Sequence, residues 1–171
     1  LRLIGTTLLM VVLCLNFTAC GDDDDDDIDV SQLEGTWGLT HSAGWRLEET
    51  EKYEWDYTCD PYNPDSSEHE CEKLVIKKLT DNTYSVAAYY YNGSEWRTHS
   101  SQTLTLNGNI LTVSQTNGDY GYFESYANLT IETLTAENLA IRVKYDNVQT
   151  VPEYNPDRRD STDYTDTFVR M

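Results

Sequence analysis

Apolar positions across residues 31–171 recur with a period of two, in short stretches separated by turn residues. Leu139, Ile141, Val143 and Tyr145 fall on one face, and Ala140, Arg142 and Lys144 on the other. That is the alternation of a strand with one buried face. Residues 73–79, 83–91, 102–106, 110–114 and 127–134 read similarly. Asp81-Asn82, Asn92-Gly93 and Asn107-Gly108-Asn109 lie between them, where hairpin turns favour Asn, Asp and Gly. No long segment carries a helical period. The pattern predicts an all-β chain, a meander of about eight antiparallel strands. Segments 42–72 and 146–164, rich in Tyr, Asn, Asp and Pro, are expected to form longer loops or irregular hairpins. Tyr62-Asn63-Pro64-Asp65 echoes Tyr154-Asn155-Pro156-Asp157, which reads as two similar turns.

The first residues follow another pattern. Arg2 precedes an apolar run from Leu3 to Leu15, then Asn16-Phe17-Thr18-Ala19-Cys20. A charged start, a short apolar run and a small residue before a cysteine make a secretory leader. The run is too short for a membrane span, which needs ~20 apolar residues. The segment resembles the leader of bacterial lipoproteins, whose cysteine is diacylglyceryl-modified and becomes the N-terminus, although Phe17 stands where Leu, Val or Ile is usual. Gly21 and the six aspartates Asp22–Asp27 repel one another and form an extended, solvated tether. The acidic run also resembles a surface-export signal of some Gram-negative lipoproteins, and both readings predict the same flexibility. The expected organisation is a signal peptide at 1–19, lipidated Cys20 and tether at 20–30, and one domain at 31–171. The expected location is the cell envelope, lipid-anchored to the outer membrane and surface-exposed.

Charge and cysteines narrow the partners. The 171 residues include 12 Lys and Arg against 30 Asp and Glu, a formal net charge of −18. Such a field repels phosphate backbones, so no nucleic acid is expected as a partner. With Cys14 in the leader and Cys20 lipidated, Cys59 and Cys71 remain in the body. A pair in an oxidising envelope reads as a disulfide. It would close a loop of about 13 residues and contribute on the order of 3 kcal/mol. Zinc needs more Cys or His partners than this body offers.

Leu33-Glu34-Gly35-Thr36-Trp37-Gly38-Leu39-Thr40 resembles the Gly-x-Trp opening strand of lipocalins, and still more the Leu-x-Gly-x-Trp start of lipocalin-like domains on bacterial lipoproteins. The turn Leu134-Thr135-Ala136-Glu137-Asn138-Leu139 and the closing stretch 165–171 fit that pattern. The resemblance covers most of residues 31–171 and implies an antiparallel up-and-down barrel whose first and last strands pair. It implies structural roles for Gly35, Trp37 and Arg170, with Arg170 over the Trp37 ring at the closed end. Such a cation–π contact is worth roughly 0.5–2 kcal/mol.

Chemistry for catalysis is not evident. No Gly-x-Ser-x-Gly elbow or Gly-rich phosphate loop occurs, and His41, His69 and His99 are scattered. No enzyme activity and no cofactor are expected. Glu48, Glu49, Glu51, Glu54 and Asp56 read as a solvated acidic face. Asp60, Asn63, Asp65, Glu68, His69 and Glu70 offer calcium-type oxygens, but their spacing is not that of a calcium loop and Pro61 and Pro64 stiffen it. No metal site is expected. The aromatic content, 13 Tyr and 4 Trp, is the stronger clue. Trp45, Trp55, Tyr89, Tyr91, Trp96 and Tyr122 are expected to rim a cavity for a small apolar or amphiphilic ligand, or to stack on sugars; ordinary core is the competing fate. Asp160-Ser161-Thr162 resembles a short O-glycosylation acceptor. The expected function is non-catalytic ligand binding. The alternative is an interaction protein with a filled barrel, whose acidic Tyr-rich loops contact a glycan or an envelope protein.

Overall fold

The period-two pattern becomes strands wherever it occurs. The computed structural model describes residues 28–117, 121–150 and 155–171, so the leader, the lipidation position Cys20 and the Asp22–Asp27 run lie outside the described residues. Among the described residues there are nine strands: β1 (Gly35–Glu48), β2 (Glu51–Thr58), β3 (Glu72–Lys78), β4 (Thr83–Tyr91), β5 (Trp96–Asn107), β6 (Ile110–Asn117), β7 (Asn128–Leu134), β8 (Asn138–Val148) and β9 (Asp160–Arg170). All pairings are antiparallel, and β9 pairs with both β8 and β1, so the sheet closes.

Nine strands fill eight positions, because β2 and β3 follow one another along the same side of β1. His41–Glu48 pairs with β2, and Gly35–Gly38 pairs with the first half of β3. Between them the chain makes an excursion that the Cys59–Cys71 disulfide closes at its neck, with Cα atoms 5.8 Å apart. The expected disulfide therefore holds one interrupted barrel strand in line, and the expected antiparallel barrel of about eight strands is formed. Closure leaves few open edges, which is how such barrels avoid pairing with other chains.

The closed end is built on Trp37, which is fully buried and donates its indole N–H to the Leu33 carbonyl at 2.9 Å. The Arg170 guanidinium carbon lies 4.2 Å from the Trp37 ring centroid. Its nitrogens donate to the carbonyls of Ala136 (2.6 Å), Glu34 (2.9 Å) and Gln32. One cation thus caps the indole and ties the N-terminal turn and the β7–β8 turn to the barrel. Gly35 makes room for it, because a Cβ there would collide with the Arg170 guanidinium. Above this floor, Leu39, Leu74, Tyr84, Leu104, Ile131 and Phe168 fill the lumen at 1% exposure or less. This half of the barrel is packed like any protein interior.

Two stretches expected as loops are partly strands. Within 42–72, β1 runs on to Glu48 and turns directly into β2; within 146–164, β9 starts at Asp160. Acidic residues on this projecting hairpin mask the alternation, although Tyr53, Trp55 and Tyr57 carry it. Gly44 brings β1 and β9 close, since a Cβ there would meet Tyr164 and the Asp163 carbonyl. The Asp160-Ser161-Thr162 triplet belongs to β9, with exposures of 0, 7 and 2%, so the folded barrel does not offer it to a glycosyltransferase.

Candidate functional site

The other end of the barrel holds a cup of about 340 Å³. Strand alternation decides what reaches it. On β9, Thr162, Tyr164 and Asp166 share the inward face with Phe168 and Arg170 below; on β3, Glu72 is in phase with Leu74 and Ile76. β1 sends in Ser42 and Arg46, and β2 sends in Trp55 and Tyr57.

The floor comes from an unexpected place. β6 and β7 pair at only two positions, Ile110↔Thr130 and Leu111↔Leu129, and the connection between them turns into the barrel. Gln102, 1% exposed on β5, grips it at both polar atoms: its amide donates to the Phe123 carbonyl at 2.7 Å and its oxygen accepts from Phe123 N–H at 2.8 Å. Phe123 joins the packed core, whereas Tyr122 and Glu124 line the cup. The two rings meet edge to face at 4.8 Å, so this segment divides filled barrel from cup. Edge-to-face pairs of this kind stabilise beyond simple area burial.

Tyr122 stands between two acids. Its hydroxyl donates to Asp166 at 3.2 Å and is also within hydrogen-bond reach of Glu72. Burial pushes Asp166 up to about 6, against the opposing pull of hydrogen bonds from Ser42 and Tyr122. Burial likewise pushes Glu72 up to about 7; the Tyr122 hydrogen bond lowers it, and the charges of Asp166 and Glu70 raise it further. Desolvation also lifts the Tyr122 and Tyr164 hydroxyls well above their ordinary value, so both stay neutral donors. Ser42 accepts from the Trp55 indole N–H at 2.9 Å, and the Trp55 and Tyr164 rings lie 5.4 Å apart. The wall is thus aromatic with buried acids set into it.

At the rim, Arg46 is held by acids of its own. Its Nε lies 3.0 Å from Glu48, and its Nη2 lies 3.7 Å from the fully buried Asp160. Arg158 completes the network, 3.0 Å from both Glu48 and Asp160.

Of the six aromatic residues expected at a cavity, the structure brings Trp55 and Tyr122 to the cup. The other four are elsewhere. Trp45 has the opposite phase from Ser42 and Arg46 on β1, and Lys52 lies over its ring at 5.6 Å. Tyr89, Tyr91 and Trp96 cluster outside the lumen: the Lys73 ammonium is 4.4 Å from the Trp96 ring centroid and 5.4 Å from that of Tyr89, and the rings of Tyr91 and Trp96 are 5.5 Å apart. Asp60, in the excursion, accepts from the backbone N–H groups of Tyr62 and Asn63 and so serves the turn. No group of three or more His, Cys, Asp or Glu side chains among the described residues is arranged to hold a metal ion.

Sequence reasoning missed Glu72 and Asp166. The signal was present as an acid standing in phase with apolar residues: Glu72 before Leu74 and Ile76, and Asp166 between Tyr164 and Phe168. In a chain with 30 acids, these two do not stand out until the strands are paired.

No protein-family model matches the sequence, and no curated protein matches it. Among solved structures the chain is similar to the siderocalin Ex-FABP, described as functioning through dual ligand specificities, at 8% identity over 82% of this chain and 74% of that chain, with a TM-score of 0.48. It is also similar to EF1p2_mFAP2b, solved bound to DFHBI, at 10% identity over 83% of this chain and 96% of that chain, with a TM-score of 0.37. At these values neither likeness bears on what this barrel binds.

Proposed function

We propose that this protein is a non-catalytic, lipid-anchored binding protein of the cell envelope whose barrel cup takes a small amphiphilic molecule. The observation that carries the binding part is the cup itself. It is open at one end, bounded below by Tyr122 and Phe123, and walled by aromatic rings with hydroxyls and carboxylates between them. Its volume of about 340 Å³ lies in the range of small-molecule sites, roughly 300–1,000 Å³. A purely apolar ligand would strand the acids of the wall without solvent, which is costly. An amphiphile, with a flat apolar body and a polar group, leaves them partnered.

Trp55 gives the test its signal. An amphiphilic fluorescent probe such as 1-anilinonaphthalene-8-sulfonate, and its uncharged parent N-phenyl-1-naphthylamine, should be compared in titrations followed by tryptophan emission. Saturable quenching by the uncharged probe, lost in Trp55→Phe, is expected; linear, unsaturable quenching overturns the binding reading. Saturating a site at a hundredfold excess over its dissociation constant stabilises the fold by ~2.7 kcal/mol, so a thermal shift should accompany binding.

The envelope part rests on the leader and the acidic run after Cys20. Cys20→Ser is expected to leave an unprocessed precursor that no longer partitions with membranes. Normal maturation and membrane partition of that variant would overturn the anchor.

One observation favours an additional contact outside the barrel. The Lys73, Tyr89, Tyr91 and Trp96 cluster and the exposed rings of Tyr53 and Tyr62 offer faces on which a sugar ring can stack. Loss of glycan-array binding on Trp96→Ala, with cup binding retained, would support that reading.

A further inference from the structure

We infer that the cup selects a protonated amine, received by the Glu72 carboxylate, with the apolar body of the ligand against Trp55, Tyr57 and Tyr164. The inference rests on the cup being a small-molecule site and names the class of molecule that fits it.

Donor accounting leads to Glu72. Asp166 is served twice, by the Tyr122 hydroxyl at 3.2 Å and by Ser42. Ser42 can do this because its oxygen accepts from the Trp55 indole, which leaves its single proton to donate within reach of the acid. A tyrosine hydroxyl likewise has one proton. The single Tyr122 proton lies between Asp166 and Glu72, so it serves Glu72 only at the expense of Asp166. Glu72 is therefore a half-buried carboxylate that shares its one hydroxyl donor with a second acid beside it. A carboxylate in that position must either keep its own proton or meet a cation.

The cations already present do not meet this need. Arg46, the arginine of the cup wall, is engaged at the rim by Glu48 and Asp160. Lys73 follows Glu72 in sequence but lies over Trp96 and Tyr89 on the opposite face of β3. His99 also lines the cup, and its ring is packed edge-on against Tyr90 at 6.3 Å. Glu124 adds a third acid to the wall. The unmatched charge inside the cup is negative, and a ligand ammonium supplies the missing positive charge with three N–H donors.

The aromatic wall suits the same group. An ammonium gains from the negative faces of Trp and Tyr rings as well as from the carboxylate, most of all where water is excluded. A chance acidic cluster on so acidic a chain would sit in solvent, where its charges cost little. Asp166, at 4% exposure, does not.

The test uses two probes of nearly equal shape, tryptamine and indole-3-ethanol, which differ in the ammonium. Their binding to the folded protein is measured by calorimetry at about pH 8, where carboxylates raised to the values above are mostly ionised. Tryptamine is expected to bind at least about tenfold more tightly, a difference of ~1.4 kcal/mol. Glu72→Gln should bring the ratio close to one, and Glu72→Asp, which keeps the charge, should retain a preference. Glu95→Gln, an exposed acid beside Arg97, should leave the ratio as it was and so controls for overall charge. Equal saturable binding of both probes overturns the amine inference and leaves the cup as a small-molecule site. Binding of neither probe overturns the inference and counts against the cup reading, which the fluorescent probes test separately. A preference that survives Glu72→Gln overturns the role given to Glu72. The ratio in the unaltered protein decides the ligand class whatever the variants do.

Discussion

Trp37→Ala is expected to cost ~3–5 kcal/mol, enough to remove much of the stability of a domain this size. The indole is fully buried, it is the largest side chain in the core, and the Arg170 guanidinium lies 4.2 Å above it. Its removal leaves a cavity at the closed end, and the Leu33 carbonyl loses its donor. Arg170→Ala should cost less, since its guanidinium is only partly buried, but it releases three carbonyls from two separate segments. Urea unfolding of Trp37→Phe, Arg170→Ala and the double variant forms a cycle that stays within the folded range. A coupling of about 0.5 kcal/mol or more is expected from the cation–π contact. Strict additivity would show that the two side chains do not stabilise one another and that the closed end does not depend on their contact.

Stability should rise as the pH is lowered from about 8 to about 5, contrary to the behaviour of most acidic residues. In the folded barrel Glu72 is held up to about 7 and Asp166 to about 6, chiefly because both are removed from water. In the unfolded chain both return to ordinary carboxylate values near 4. Between those limits the folded state binds more protons than the unfolded one, so stability falls as pH rises through that window. Each unit of displacement corresponds to about 1.4 kcal/mol, so the pair together shifts stability by several kcal/mol between about pH 4 and pH 8. Arg46, His99 and Glu124 line the same cup, while the charge of His41 lowers Asp166 and that of Glu70 raises Glu72. Below about pH 4 the sign reverses. Arg142 holds Asp163 below its ordinary value through two hydrogen bonds of 2.7 Å, and that contribution is lost as Asp163 takes up a proton. Chemical denaturation across this range should show the maximum on the acid side of neutrality, and Glu72→Gln should flatten the slope while raising stability at about pH 8. A profile that rises from pH 5 to pH 8 would mean that the two carboxylates are solvated and that the cup is wetter than its burial indicates.

A link between the two results follows from the division of the barrel. Phe123 and Gln102 separate the packed half from the cup, so Trp37 variants should lower stability with little change in probe affinity, whereas Glu72 variants should change probe affinity together with the pH dependence of stability. Sites this far apart, with no shared partners, act independently.

The sequence by itself determined the strands whose alternation is clean. Residues 83–91 were read with the limits β4 has, and β3, β6, β7 and β8 within a few residues, because one face of each is buried and polar residues occupy the other. It also pointed to the Cys59–Cys71 disulfide by elimination, and to Trp37 and Arg170 through the resemblance of the first and last strands. The cup was only partly legible. Of six aromatic candidates, Trp55 and Tyr122 reach it, because the face a ring takes depends on strand phase, and a shift of one residue sends it to the other side. The shift between Leu39 and His41 in β1 puts Trp45 outside and Arg46 inside, a result no local pattern announces. The entry of the β6–β7 connection depends on Gln102, 21 residues away from Phe123, and the raised carboxylates depend on the closed barrel burying Glu72 and Asp166. Local alternation decides whether a residue is buried or exposed. Only the closed sheet decides which buried acids, hydroxyls and rings face one another, and it is that juxtaposition, set by register and closure, that makes a binding cup of half the barrel.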